Sequence, residues 1–177
     1  MDRRELLRAL GAAGALALLP NQTTEAWARV AAGWRVTGGL TDAQLALVGA
    51  VADTILPRTS SPSATDVGVP AFIDVVVAEN YTDDERTAFM SGLDQIDARV
   101  RSATNRSFAD LDGDSRAASI GSIESTADRR TEPMRTYWRL KGLILHGYFT
   151  SEAVMKRVLH TEIMPGRFDG AAPMPHA

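Results

Sequence analysis

The run Asp110-Leu111-Asp112-Gly113-Asp114 looks at first like a calcium loop, because closely spaced carboxylates are hard oxygen ligands. An EF-hand loop needs D-x-D-x-D-G and a bidentate Glu at position twelve. Here the glycine comes too early, and position twelve counted from Asp110 is Gly121. The run reads instead as an exposed turn with an aspartate cap. Three histidines are present, His146, His160 and His176, and none is spaced as H-x-x-x-H or completes H-E-x-x-H, so no zinc site is expected. His146 falls at the end of an apolar helical run, which suits a core or dipole-stabilised imidazole. With no cysteine, the chain has no disulfide, iron–sulfur ligand, thiolate nucleophile or C-x-x-C-H haem attachment. Gly11, Gly14, Gly38 and Gly39 do not form G-x-G-x-x-G after a strand, and neither G-x-S-x-G nor G-K-[ST] occurs. The carboxylate pair Asp83–Asp84 sits at a helix start, where capping accounts for it. No residue set supports an independent reaction, so the chain is expected to be no enzyme on its own, with neither cofactor nor metal of its own.

The elements that would position these residues read as helices. Thr41-Asp42-Ala43-Gln44 fits a capping box, followed by Leu45, Val48, Val51, Ala52 and Ile55 at helical spacing until Pro57. Residues 58–68 are loop-like, and Pro70 suits the first turn of a helix running to Tyr81. Its Val75-Val76-Val77 run could also be a buried strand, but no second strand run exists to pair with it. Thr82-Asp83-Asp84-Glu85 is a second capping box, and Phe89, Leu93, Ile96 and Val100 continue as one apolar stripe. A weaker helix carries Ala117, Ile120 and Ile123. Thr131-Glu132-Pro133 opens a long helix with Met134, Trp138, Leu140, Ile144 and Leu145 inside, weakened near its end by Gly147. Thr150–Ser151 can cap a last short helix through Val158. The pattern predicts an all-α fold, a compact single domain of about five helices.

The amino terminus has a different character. Asp2-Arg3-Arg4-Glu5-Leu6-Leu7-Arg8 precedes an apolar stretch from Ala9 to Pro20, too short for the ~18–20 residues of a spanning helix. A basic segment before a short apolar one is an export leader, and Arg3–Arg4 followed by two leucines resembles the twin-arginine motif. Ala26-Trp27-Ala28 supplies an A-x-A-like cleavage site, and Ala28 to Ala32 offer others. The expected organisation is a leader at 1–28, a linker at 29–40, the helical domain at 41–170 and a tail at 171–177. The expected location is periplasmic or otherwise exported.

Composition agrees with one folded domain: 177 residues with 45% apolar and 23% charged side chains are ordinary globular usage. The net charge of −3 comes from interspersed signs without a basic stripe, which argues against a nucleic-acid partner.

Two further blocks resemble the gluconate 2-dehydrogenase subunit 3 family. The first is Ile55-Leu56-Pro57-Arg58-Thr59 with Ser61-Pro62-Ser63-Ala64 and Asp66-Val67-Gly68-Val69-Pro70-Ala71-Phe72-Ile73-Asp74. The second is Gly147-Tyr148-Phe149-Thr150-Ser151-Glu152 with Pro165-Gly166-Arg167-Phe168-Asp169-Gly170. Standing in the family's order, they extend the resemblance over roughly residues 40–170, and the twin-arginine start adds to it. Two positions depart from the family pattern: Ala171 stands where many members have a cysteine, and Pro62-Ser63-Ala64 replaces Pro-Gly-Ala. The resemblance implies a non-catalytic small subunit that exports and matures a signal-less partner. That partner would be a large FAD-containing sugar or polyol dehydrogenase subunit of the glucose–methanol–choline class. A multihaem cytochrome c subunit, carrying haem c, often passes the electrons onward, and the membrane is reached only through the complex. The family implies no catalytic residue here. Arg3 and Arg4 would serve export, and Tyr148, Phe149 and Phe168 are candidate partner anchors, because aromatics dominate interface cores. Phe149 fits this domain's own core equally well, and Phe72 and Ile73 read as core. The alternative is a stand-alone periplasmic helical binding or structural domain.

Overall fold

The computed structural model describes residues 21–33, 39–126 and 130–160. Arg3, Arg4, His176, Phe168, the rest of the Pro165–Gly170 motif and the 171–177 tail lie outside them. Among the described residues there are seven α-helices, one short 3-10 turn and no strand. In chain order the helices are α1 (Asn21–Ala31), α2 (Asp42–Ile55), α3 (Val69–Asn80), α4 (Asp83–Thr104), α5 (Gly113–Glu124), α6 (Glu132–Thr150) and α7 (Glu152–Arg157), with the 3-10 turn at Phe108–Asp110 between α4 and α5.

Local chemistry sets most of these boundaries. Both capping boxes form: the Thr41 side chain accepts from Gln44 N–H while Gln44 Oε1 accepts from Thr41 N–H, and Thr82 and Glu85 do the same at the start of α4. Asp112 caps α5 by accepting from Ser115 N–H at 2.9 Å, so the acidic run is a helix start. Ser151 caps α7 through Val154 N–H. The run at Val75–Val77 is helical. α3 lies against α1, α2 and α6, so apolar residues are needed on most of its sides and no strand partner is required.

α2 packs against α3, α4, α5, α6 and the 3-10 turn and forms the centre of the domain. Its buried residues are Gln44, Leu47, Val48, Val51 and Ala52, while Leu45 and Ile55 are only half-buried. Around it the Phe89, Leu93, Ile96 and Val100 stripe of α4 is buried as expected, with Ile120 and Ile123 from α5 and Met134, Leu140 and Ile144 from α6. Ala117 is exposed, and Tyr137, which the spacing did not single out, is fully buried. α4 and α6 make the most extensive helix contact, and Gly92 sits at their closest approach. A methyl group there would lie 2.0 Å from Thr136 Oγ1.

The expected leader and linker boundaries, at residues 28 and 29, do not coincide with edges of the fold. Residues 21–31 are a helix packed on α3, so a cut after Ala28 and a linker from 29 both fall inside α1. The polar Asn21–Thr24 run read as the end of an apolar segment. In the fold, Thr23, Ala26, Trp27 and Val30 recur at helical spacing and turn one side of α1 inward.

Candidate functional site

The first sequence block and the Gly147–Glu152 part of the second meet at one end of the domain, where the α2–α3 loop, the first turns of α3 and the last turns of α6 converge. The loop is tied by its own side chains. Asp53 on α2 accepts from Thr65 N–H at 2.8 Å and from Thr65 Oγ1 at 2.6 Å, and Asp66 accepts from Ser63 N–H at 2.8 Å and pairs with Arg58. The Ser63 amide is the main reason that the Asp66 carboxyl sits below its ordinary range. Ala64 N–H bonds Leu56 O at 3.1 Å, and Gly68, at a φ of 82° that disfavours any other residue, turns the chain into α3. Asp74 then reaches back to accept Leu40 N–H at 2.6 Å. Burial holds the Asp74 carboxyl above its ordinary range, opposed by that amide.

The second block locks onto the first. Tyr148 is buried at 4% exposure, and its hydroxyl donates to Pro62 O at 2.8 Å. Gly147 leaves room for the Phe72 ring: an added Cβ would sit 2.8 Å from Phe72 Cδ1. Gly147 was read as a weak point of the helix, but it is a packing position. Ser151 Oγ, also buried, donates to Tyr148 O at 2.8 Å while accepting from Val154 N–H, which makes it a helix cap and commits its hydroxyl. α1 covers the same face, with Trp27 stacked on Phe72 at 4.9 Å between ring centroids.

These placements divide the three expected anchors. Tyr148 faces inward and offers no partner surface. Phe149 is 45% exposed, so it does not fill the domain's own core. Phe168 is not among the described residues. Val158 and Leu159 are the other large apolar side chains exposed among the described residues, so all three follow the start of the second block. His146 is exposed on α6, and its Nε2 lies 2.8 Å from Thr23 Oγ1.

A polar cluster that sequence spacing missed lies elsewhere. Glu124 Oε1 receives both the Tyr137 hydroxyl and Lys141 Nζ, each at 2.5 Å. Burial, then the Glu124 carboxylate, pushes the Tyr137 phenol well above its ordinary value, so it stays protonated and acts as a donor. Tyr137 and Lys141 are four apart on α6, but Glu124 is on α5 across a loop, and no local pattern links them. Among the described residues no three His, Asp or Glu side chains come together as a metal site, and no buried side-chain polar atom lacks a hydrogen-bond partner. A cleft of about 810 Å³ lies between the starts of α4 and α6, away from the blocks. Asp84, Glu85, Arg135 and Arg139 line it with mixed charge. No described helix is long and apolar enough to cross a membrane. The arrangement as a whole is a braced surface, with its polar groups engaged in holding loops and helix ends.

A family model described as gluconate 2-dehydrogenase subunit 3 matches residues 42–166, which take in the first block and the second as far as Gly166. Comparison with curated proteins and with solved structures finds no match.

Proposed function

We propose a function from one premise: this chain belongs to the gluconate 2-dehydrogenase subunit 3 family. It is an accessory small subunit of the dehydrogenase-complex type that the family's name describes. In our reading it is the non-catalytic subunit that brings a large FAD-containing dehydrogenase subunit, of the glucose–methanol–choline type and acting on a sugar or polyol, out of the cytoplasm. That partner has no leader of its own and travels on the Arg3–Arg4 leader of this chain, which also helps it to mature. The complex works in the periplasm and reaches the membrane only through its assembly. A multihaem cytochrome c subunit takes the electrons onward.

The family match across both blocks carries this reading, joined to the leader in the sequence. Two features support it. The sequence has no cysteine for covalent haem and no nucleotide-binding glycine motif, so the redox groups are assigned to the partners. The side chains around the two blocks are used in packing and capping, which suits a scaffold.

Affinity purification of the tagged chain should bring down a yellow protein of several times its mass. Replacing Arg3 and Arg4 together by Lys should leave that flavoprotein in the cytoplasm. A chain that purifies alone and colourless, and whose loss alters no dehydrogenase, would favour a stand-alone periplasmic helical domain and overturn the proposal.

A further inference from the structure

α1 lies outside the stretch matched to the family, yet it packs on that stretch where the two blocks meet. Its inner side is specific. Trp27 stacks on Phe72 with an interplanar angle of 22°, and its Nε1–H donates to Thr150 Oγ1 at 3.2 Å. Thr23 bonds His146, and Arg29 pairs with Glu79 of α3. Trp27 and Val30 each come within 3.6 Å of where a Cβ on Gly68 would stand. One helix therefore bridges the start of α3 in the first block and the end of α6 in the second.

The A-x-A-like peptide Ala26-Trp27-Ala28 lies in the middle of this helix. Ala26 is 1% exposed and Trp27 is held on two sides. Processing proteases take their substrates as accessible, extended chain, and tolerance of a cut follows the burial and hydrogen bonding of the backbone concerned. The twin-arginine route moves proteins after folding, so the processing enzyme would meet α1 already docked. Resting on the export reading above, we infer that the exported chain is not cut at Ala28, begins no later than Asn21 and keeps α1 as a strap across the two blocks. The other small-residue sites up to Ala32 fall in or directly after the same helix; Ala31 and Ala32 are exposed, but Ala32 N–H still bonds Ala28 O at 3.0 Å and Gly33 N–H bonds Val30 O at 3.1 Å, so the backbone there is helical and not extended.

The test is the intact mass and amino-terminal sequence of the chain purified from the periplasm together with its partner. The expected amino terminus lies at or before Asn21. One between Gln22 and Gly33 overturns the inference and leaves the export reading standing. A chain confined to the cytoplasm overturns the export reading and this inference with it. Ala28→Leu gives a second measure, because Ala28 is exposed on α1 and a leucine immediately before the bond blocks signal cleavage there. The variant should mature to the parent's mass plus the residue difference. Accumulation of a longer form than the parent's overturns the inference.

Discussion

Gly147 shows what a single residue can conceal. In a helical run a glycine costs about 1 kcal/mol relative to alanine, which is why it reads as a weak point. Gly147→Ala should nonetheless destabilise the domain, by about 1–3 kcal/mol in urea unfolding, because the new methyl meets the Phe72 ring and overpacking outweighs propensity. Two carboxylates make opposite predictions for pH. Burial would raise the Asp97 pKa, but hydrogen bonds from Arg101, Phe108 N–H and Ser107 outweigh it and hold the folded value below the ordinary range. Its contribution is therefore fully present above the ordinary carboxylate pKa of about 4 and is lost as pH falls through the lowered folded value. Asp97→Asn should cost about 1–3 kcal/mol at neutral pH and flatten the acid limb of a stability–pH curve. Asp74 has a raised folded pKa, so its ionisation works against stability as pH rises. Asp74→Asn keeps an acceptor for Leu40 N–H and should be neutral or slightly stabilising at pH 7. Phe149→Ser should leave the melting temperature within about 2 °C, since the ring is half-exposed, but should reduce recovery of the proposed flavoprotein partner in co-purification.

At the scale of elements, boundaries followed from a few local signals. Both Thr-initiated capping boxes, the Asp112 cap and Ser151 were readable because a cap joins residues three apart in the chain. Thr82→Ala should cost about 1 kcal/mol. Ser151→Ala should cost more, about 1–3 kcal/mol, because the buried hydroxyl also satisfies Tyr148 O; chemical denaturation of the pair of variants compares them directly. Which residues an element buries was less legible. Gln44 was read only as a cap, but it is buried, with its amide donating to Met90 O at 3.3 Å and to Asp94 Oδ1 at 2.9 Å. Tyr137 is another such case, since its hydroxyl depends on a glutamate from a different helix.

For the whole molecule, the central position of α2 and the strap formed by α1 are the main outcomes. If α1 braces the two blocks, Trp27→Ala should lower stability by about 1–3 kcal/mol, read as a melting temperature several degrees lower, through loss of the ring stack and of apolar burial. The same variant should leave the helix-rich far-UV circular dichroism close to that of the parent, because α2 to α6 hold their core without it.

The sequence alone determined that this is a helical domain, where the capped helices α2, α4 and α7 start, and that the blocks around Ile55–Asp74 and Gly147–Gly170 belong to a recognisable pattern, but not that α1 exists. Those signals act over one or two helical turns, by hydrogen bonding and apolar spacing, and survive in a string of letters. Only the tertiary structure decided that Tyr148 points inward and Phe149 outward, that Gly147 makes room for Phe72, and that a helix before the family-matched region packs on both Phe72 and Thr150. These outcomes depend on which surfaces meet across long stretches of chain. That is fixed by the competition of apolar faces for a shared core, which no local pattern encodes.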